Sequence, residues 1–108
     1  MPLENRAPER IERKLDTRTT AMYYTETKWL EMVIYNGPSL NFMPESVVRL
    51  RRYLNNPAPA KSAVISELYA AELDDGWLTL VLPVRSYDLS ELATQRLKTF
   101  LDEMLPKS

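Results

Sequence analysis

The stretch Trp29-Leu30-Glu31-Met32-Val33-Ile34 returns as Trp77-Leu78-Thr79-Leu80-Val81-Leu82, which puts both tryptophans of the chain in register. Downstream, with one residue lost in the turn, Ser39-Leu40-Asn41 lies over Ser86-Tyr87-Asp88. At the same shift Arg49-Leu50-Arg51-Arg52-Tyr53-Leu54 lies over Arg96-Leu97-Lys98-Thr99-Phe100-Leu101. Upstream, Met22-Tyr23 matches Leu68-Tyr69. Agreement in tryptophan placement, helix caps and a basic-leucine-basic pattern argues for a duplication, and a repeat constrains the fold before any single element does.

Each copy reads as ββα. Residues 19–26 are rich in Thr and Tyr, which favour strand, and 29–35 form a clearer strand closed by Asn36-Gly37-Pro38. A helix drawn over 21–35 is the competing reading. A helix then follows, with Asn41 as its N-cap, Pro44 in its first turn, and Phe42, Val47, Leu50, Tyr53 and Leu54 on its apolar face. Residues 57–61 are a linker. In the second copy 63–73 pairs as a hairpin with 77–84 across Asp74-Asp75-Gly76, although its Ala and Leu also suit a helix. Asp88 and Glu91 have capping-box spacing ahead of a helix carrying Leu89, Ala93, Leu97, Phe100 and Met104. Ahead of the repeats, Pro8 is placed to start a short helix with Ile11 and Leu15 stacked one turn apart.

The expected fold is α+β: two tandem ββα units forming one four-stranded, mostly antiparallel sheet with both helices on one face, plus a short N-terminal helix. Residues 1–18 are read as a flexible or short helical arm. Residues 19–108 are read as one domain made of repeats 19–57 and 62–106. Strand alternation directs Leu30, Met32 and Ile34, with Leu78, Leu80 and Leu82, toward the helices. The opposite face then carries Trp29, Val33 and Tyr35, with Trp77, Val81 and Pro83. A solvated sheet face alternates to polar residues, and this one does not, so a covering surface is expected. A second copy of the chain, stacked through Trp29, Val33, Tyr35, Trp77 and Val81, is the simplest cover.

The chain's inventory excludes much chemistry. It has no cysteine and no histidine, so disulfides, thiolate sites and the commonest general base and metal ligand are missing. Two glycines leave no phosphate-cradling loop. Glu72, Asp74 and Asp75 gather at a turn without calcium-loop spacing and read as solvated. No catalytic residue, metal site or cofactor is expected. Arg49, Arg51 and Arg52, echoed by Arg96 and Lys98, form a basic helix face open to a phosphate or an acidic partner. Fourteen basic against fifteen acidic residues give a net charge of −1, so there is no general attraction to nucleic acid. No apolar run reaches membrane-span length and the first residues alternate in charge, which together read as cytoplasmic.

The function expected from these features is a non-catalytic interaction or regulatory protein (adaptor, specific inhibitor or chaperone-like) acting as a homodimer. A nucleic-acid binder using the sheet aromatics or the arginine helix is the alternative, and a small-ligand binder or enzyme the second alternative. The order helix, hairpin, helix, hairpin, helix resembles that of small acidic secretion chaperones, which implies a dimeric, non-catalytic protein. The resemblance lies in element order and carries no motif or residue.

Overall fold

The computed structural model describes residues 9–37, 39–56 and 62–106. It is an α+β fold of two like units. The first runs β1 (Arg10–Lys14), β2 (Thr19–Tyr24), β3 (Leu30–Ile34), β4 (Ser39–Phe42) and α1 (Pro44–Asn55). The second runs β5 (Ser62–Val64), β6 (Ala70–Asp74), β7 (Trp77–Val81), β8 (Ser86–Leu89) and α2 (Glu91–Met104). Each unit is an antiparallel meander, β1-β2-β3-β4 and β5-β6-β7-β8, followed by one helix.

The expected single sheet is therefore corrected to two. The reason lies in four short segments that sequence pattern did not read as separate strands. Ser39–Phe42 and Ser86–Leu89, read as lead-ins to the helices, are strands beside β3 and β7. Arg10–Lys14 and Ser62–Val64 close the opposite edges. The two tryptophan-led strands are thus interior strands of separate sheets. The N-terminal helix is corrected as well, since residues 10–14 are β1 (Pro8 lies outside the described residues). A spacing of four residues is even, so Ile11 and Leu15 share a face in a strand as well as in a helix. Element order consequently departs from that of the secretion chaperones.

Helix starts shift for the same reason. Asn41 and Asp88 sit in strands rather than at caps. Met43 is the residue before α1, with Pro44 at the first helical position, and Ser90 caps α2 by accepting from Ala93 N–H at 3.3 Å. The segment 63–73 is broken by a turn between β5 and β6. Asp75 and Gly76, with φ of 53° and 85°, make the two-residue turn between β6 and β7. There the left-handed backbone requires what glycine supplies.

The repeat is physical as well as textual. In the first unit Leu15 N–H and Asp16 N–H reach Thr19 O, and Asp16 Oδ1 accepts from Arg18 and Thr19 N–H. In the second, Ile65 N–H and Ser66 N–H reach Tyr69 O, and Ser66 Oγ accepts from Leu68 and Tyr69 N–H. The equivalence of Tyr69 is therefore to Thr19, not to Tyr23. The units also grip each other reciprocally. Arg49 on α1 donates to Ile65 O at 3.4 Å, and Arg96 on α2 donates to Leu15 O at 3.1 Å. Such mutual contacts are the pattern of an approximate two-fold axis.

One core serves both units. Leu30, Met32, Ile34, Leu78 and Leu80 are buried, as alternation requires, while Leu82 is half-buried. They meet Val47, Leu50, Tyr53 and Leu54 of α1 and Ala93, Leu97, Phe100 and Leu101 of α2. The buried Thr94 hydroxyl accepts from Leu78 N–H and donates to Leu89 O, both at 3.2 Å, which fastens α2 to its own sheet. Its counterpart in α1 is Val47. Thr94→Val should leave the Leu78 N–H buried and unpaired, costing about 1–3 kcal/mol. Thermal unfolding followed by circular dichroism should show Tm lowered by several degrees.

Candidate docking site

The five residues expected at a sheet interface all lie on the outward side or beyond it. Val33 and Val81 are half-buried, and Trp29, Tyr35 and Trp77 are exposed. They do not form one surface, because each sheet has its own outer face. On the first, Val33 lies in the cross-strand row Lys14–Thr20–Val33–Ser39. Polar side-chain contacts occupy part of the rest: Arg10 bonds Glu12 at 2.9 Å, and Tyr24 donates to Glu31 at 2.9 Å, which raises the Tyr24 phenol above its ordinary pKa. The second is more apolar, with the row Val64–Ala70–Val81–Ser86 and with Trp77 opposite Asp74.

The basic helix residues are engaged inside the chain. Arg49 and Arg96 make the reciprocal carbonyl contacts. Arg51 bonds Asp102 Oδ1 at 3.0 Å and Pro106 O at 3.0 Å, and Lys98 stands 3.9 Å from Asp102 Oδ2. Asn55 adds a bond to the same carboxylate. Arg52 is exposed and makes no ion pair among the described residues. Lys98 thus pairs within its own helix, and three of the five candidate cations hold helix to helix or unit to unit. A cation on the other side does the same: Arg13 lies over the Phe100 ring at 5.1 Å and bonds Glu103 at 2.7 Å.

The site that sequence reasoning missed is a cleft of about 680 Å³ where the β4–α1 junction of the first unit meets the β5–β6 turn of the second. Trp29, Met43, Leu68 and Tyr69 supply apolar walls, and Asn41, Glu45, Arg49, Ser66 and Glu67 the polar rim. Each wall has a local cause. Trp29 ends the loop 25–29, whose return is set by Lys28 at φ 66° and by Tyr24 N–H on Trp29 O at 2.9 Å. Met43 precedes the helix and its carbonyl takes the Val47 N–H at 3.0 Å. Ser66 shapes the turn that lifts Leu68 outward, 59% exposed. Tyr69 rests on Phe42 of the other unit, ring centroids 4.8 Å apart. The sequence reading placed Leu68 and Tyr69 inside one strand, 63–73, so nothing in it marked a turn or a cleft there.

The two-fold relation provides a counterpart cleft of about 350 Å³, lined by Lys14, Leu15, Asp16, Thr17, Ser90, Leu92, Ala93 and Arg96. A third cavity of about 300 Å³ runs between the sheets over Met32, Leu40 and Leu80, with Asp16, Arg18 and Asp88 among its lining. Asp16 is occupied in capping its turn, and Asp88 accepts from Thr79 at 2.6 Å. None of the three cavities pairs a nucleophile with a base. Among the described residues no three carboxylates stand close enough to hold a metal ion, and no helix is long and apolar enough to cross a membrane. Compared with protein-family models, curated proteins and solved structures, the chain gives no match.

Partial burial opposes the charge of Asp102, yet hydrogen bonds from Arg51 and Asn55 and the Lys98 and Arg51 charges outweigh it and hold the carboxyl below its ordinary pKa. Protonating it therefore favours the unfolded chain. The stabilisation is complete above about pH 4 and is lost as pH falls through the lowered value. Asp102→Asn should lower stability at neutral pH by about 0.5–1 kcal/mol, modest because the pair is partly solvated. Urea midpoints measured from pH 7 downward should converge for variant and parent below pH 4.

Proposed function

We propose that the protein is a non-catalytic interaction protein that docks a partner polypeptide in the Trp29–Tyr69 cleft. The observation that carries this reading is the convergence of Trp29, Met43, Leu68 and Tyr69, from both units, on one open cleft within the size range of ligand sites. Exposed apolar groups scattered singly need no explanation, but a lined concavity with a polar rim is the form of a recognition site. The engagement of Arg49, Arg51, Arg96 and Lys98 within the chain adds to it, since it occupies most of the basic helix face that a nucleic acid would use.

Selection of displayed random peptides on the folded protein tests the reading. The selected sequences should lose at least tenfold in affinity on Leu68→Asp, an exposed substitution that leaves the core intact. Binding indifferent to Leu68→Asp would remove the cleft from consideration.

A homodimer stacked through an outer sheet face is a second reading, favoured by the Val64–Ala70–Val81 row with Trp77 on the second sheet. Light scattering separates it. A mass of two chains that Trp77→Glu halves, with the fold retained, makes this face the interface. A single-chain mass for the parent excludes it.

A further inference from the structure

The cleft has a built-in control, because the duplication provides the same corner twice. Matching helix starts, turn caps and reciprocal arginines pair Met43 with Ser90, Glu45 with Leu92, Arg49 with Arg96, Ser66 with Asp16, and Glu67 with Thr17. Five of these ten residues have a structural duty in the corner. Arg49 and Arg96 make the carbonyl contacts, Asp16 and Ser66 cap the turns, and Ser90 caps its helix. Glu45, Glu67, Met43 and the aromatic pair Trp29 and Tyr69 do not recur in the counterpart cleft. The corner folds with a leucine and a threonine where the first copy has two carboxylates. Folding therefore does not require Glu45 and Glu67, and neither makes an ion pair among the described residues.

We infer that this cleft receives a lysine or arginine side chain of the partner polypeptide, with an apolar residue beside it, an inference that rests on the docking reading above. Trp29 and Tyr69 line the cleft with aromatic surface, which suits a cation as well as an apolar group, and Met43 and Leu68 offer apolar surface for its alkyl stem and the neighbouring residue. Glu45 on α1 and Glu67 on the turn of the other unit both line the same cleft, which gives it two carboxylates. The cleft's own cation, Arg49, is directed at Ile65 O. The amide end of α1 opens on the same cleft and favours an anion. Glu45 in its first turn answers that partial charge, and Pro44 contributes no N–H. An anionic segment would face two carboxylates that make no ion pair among the described residues.

Three probes decide it: acetyl-Leu-Arg-Leu-amide and its Gln and Glu analogues, titrated against the full chain while the Trp29 indole N–H and the Leu68 and Tyr69 amides are followed by NMR. The arginine peptide should shift these signals and bind about five- to tenfold tighter than the glutamine peptide, and the glutamate peptide weaker still. Glu45→Gln with Glu67→Gln should abolish the preference for arginine without unfolding the chain, and raised salt should shrink it. Equal binding of the three peptides at the cleft would overturn the cationic assignment and leave the docking reading standing. Failure of all three to move the Trp29 signal would overturn both, and so would shifts that survive the neutral substitution Leu68→Ser.

Discussion

A meander of four short strands followed by one helix exposes more apolar surface than it can bury alone. Each unit solves this by sharing its core with the other. The inner faces of both sheets and the apolar sides of both helices form one buried cluster. At roughly 25 cal/mol for each Å² of apolar surface removed from water, that shared burial is the dominant stabilising term. A segment of this size on its own falls in the range where a single core is marginal. The polar contacts across the junction then specify how the units meet. Arg49 and Arg96 each satisfy a carbonyl of the opposite unit, Leu73 N–H donates to the Tyr53 hydroxyl, and Asp102 of α2 gathers Arg51 and Asn55 of α1.

Duplication explains which residues are alike in the two halves. Positions that close turns or cross the junction keep their role even when the residue changes: Asp16 and Ser66 cap the same turn by different side chains. Positions with no such duty have diverged. Lys28 and Gly76 share a left-handed backbone ahead of the two tryptophans, yet the loop 25–29 is longer than the Asp75-Gly76 turn and brings its tryptophan to the cleft. The outer faces have separated too, one carrying polar side-chain contacts and the other keeping an apolar row.

Much of the interior was legible before any coordinates. Period-two alternation identified Leu30, Met32 and Ile34 as inward, and the Asp75-Gly76 turn and the body of α2 were marked by local chemistry. The short edge strands were not. Asn41 and Asp88 stand just before helices, where a side-chain oxygen usually means a cap, and four residues are too few to show a period. Ile11 and Leu15 fitted a helix and a strand equally. The basic helix face was legible as a pattern but not as a role, since only the packed structure brings Asp102, Pro106 O, Ile65 O and Leu15 O to those side chains. The cleft was illegible in principle, being made of residues brought together across the junction.

Strand order has a bearing on how the chain reaches this state. In both sheets every strand pairs only with its neighbours in sequence. Each ladder closes a loop of a few residues, so the entropy of bringing partners together is small and each meander can zip on the microsecond scale of isolated hairpins. The contacts that span the chain, from Arg96 to Leu15 and from Arg13 to Glu103, need both units in place. Local ladders and one non-local docking event are thus separate demands on the same chain, and only the second brings together residues some eighty to ninety positions apart.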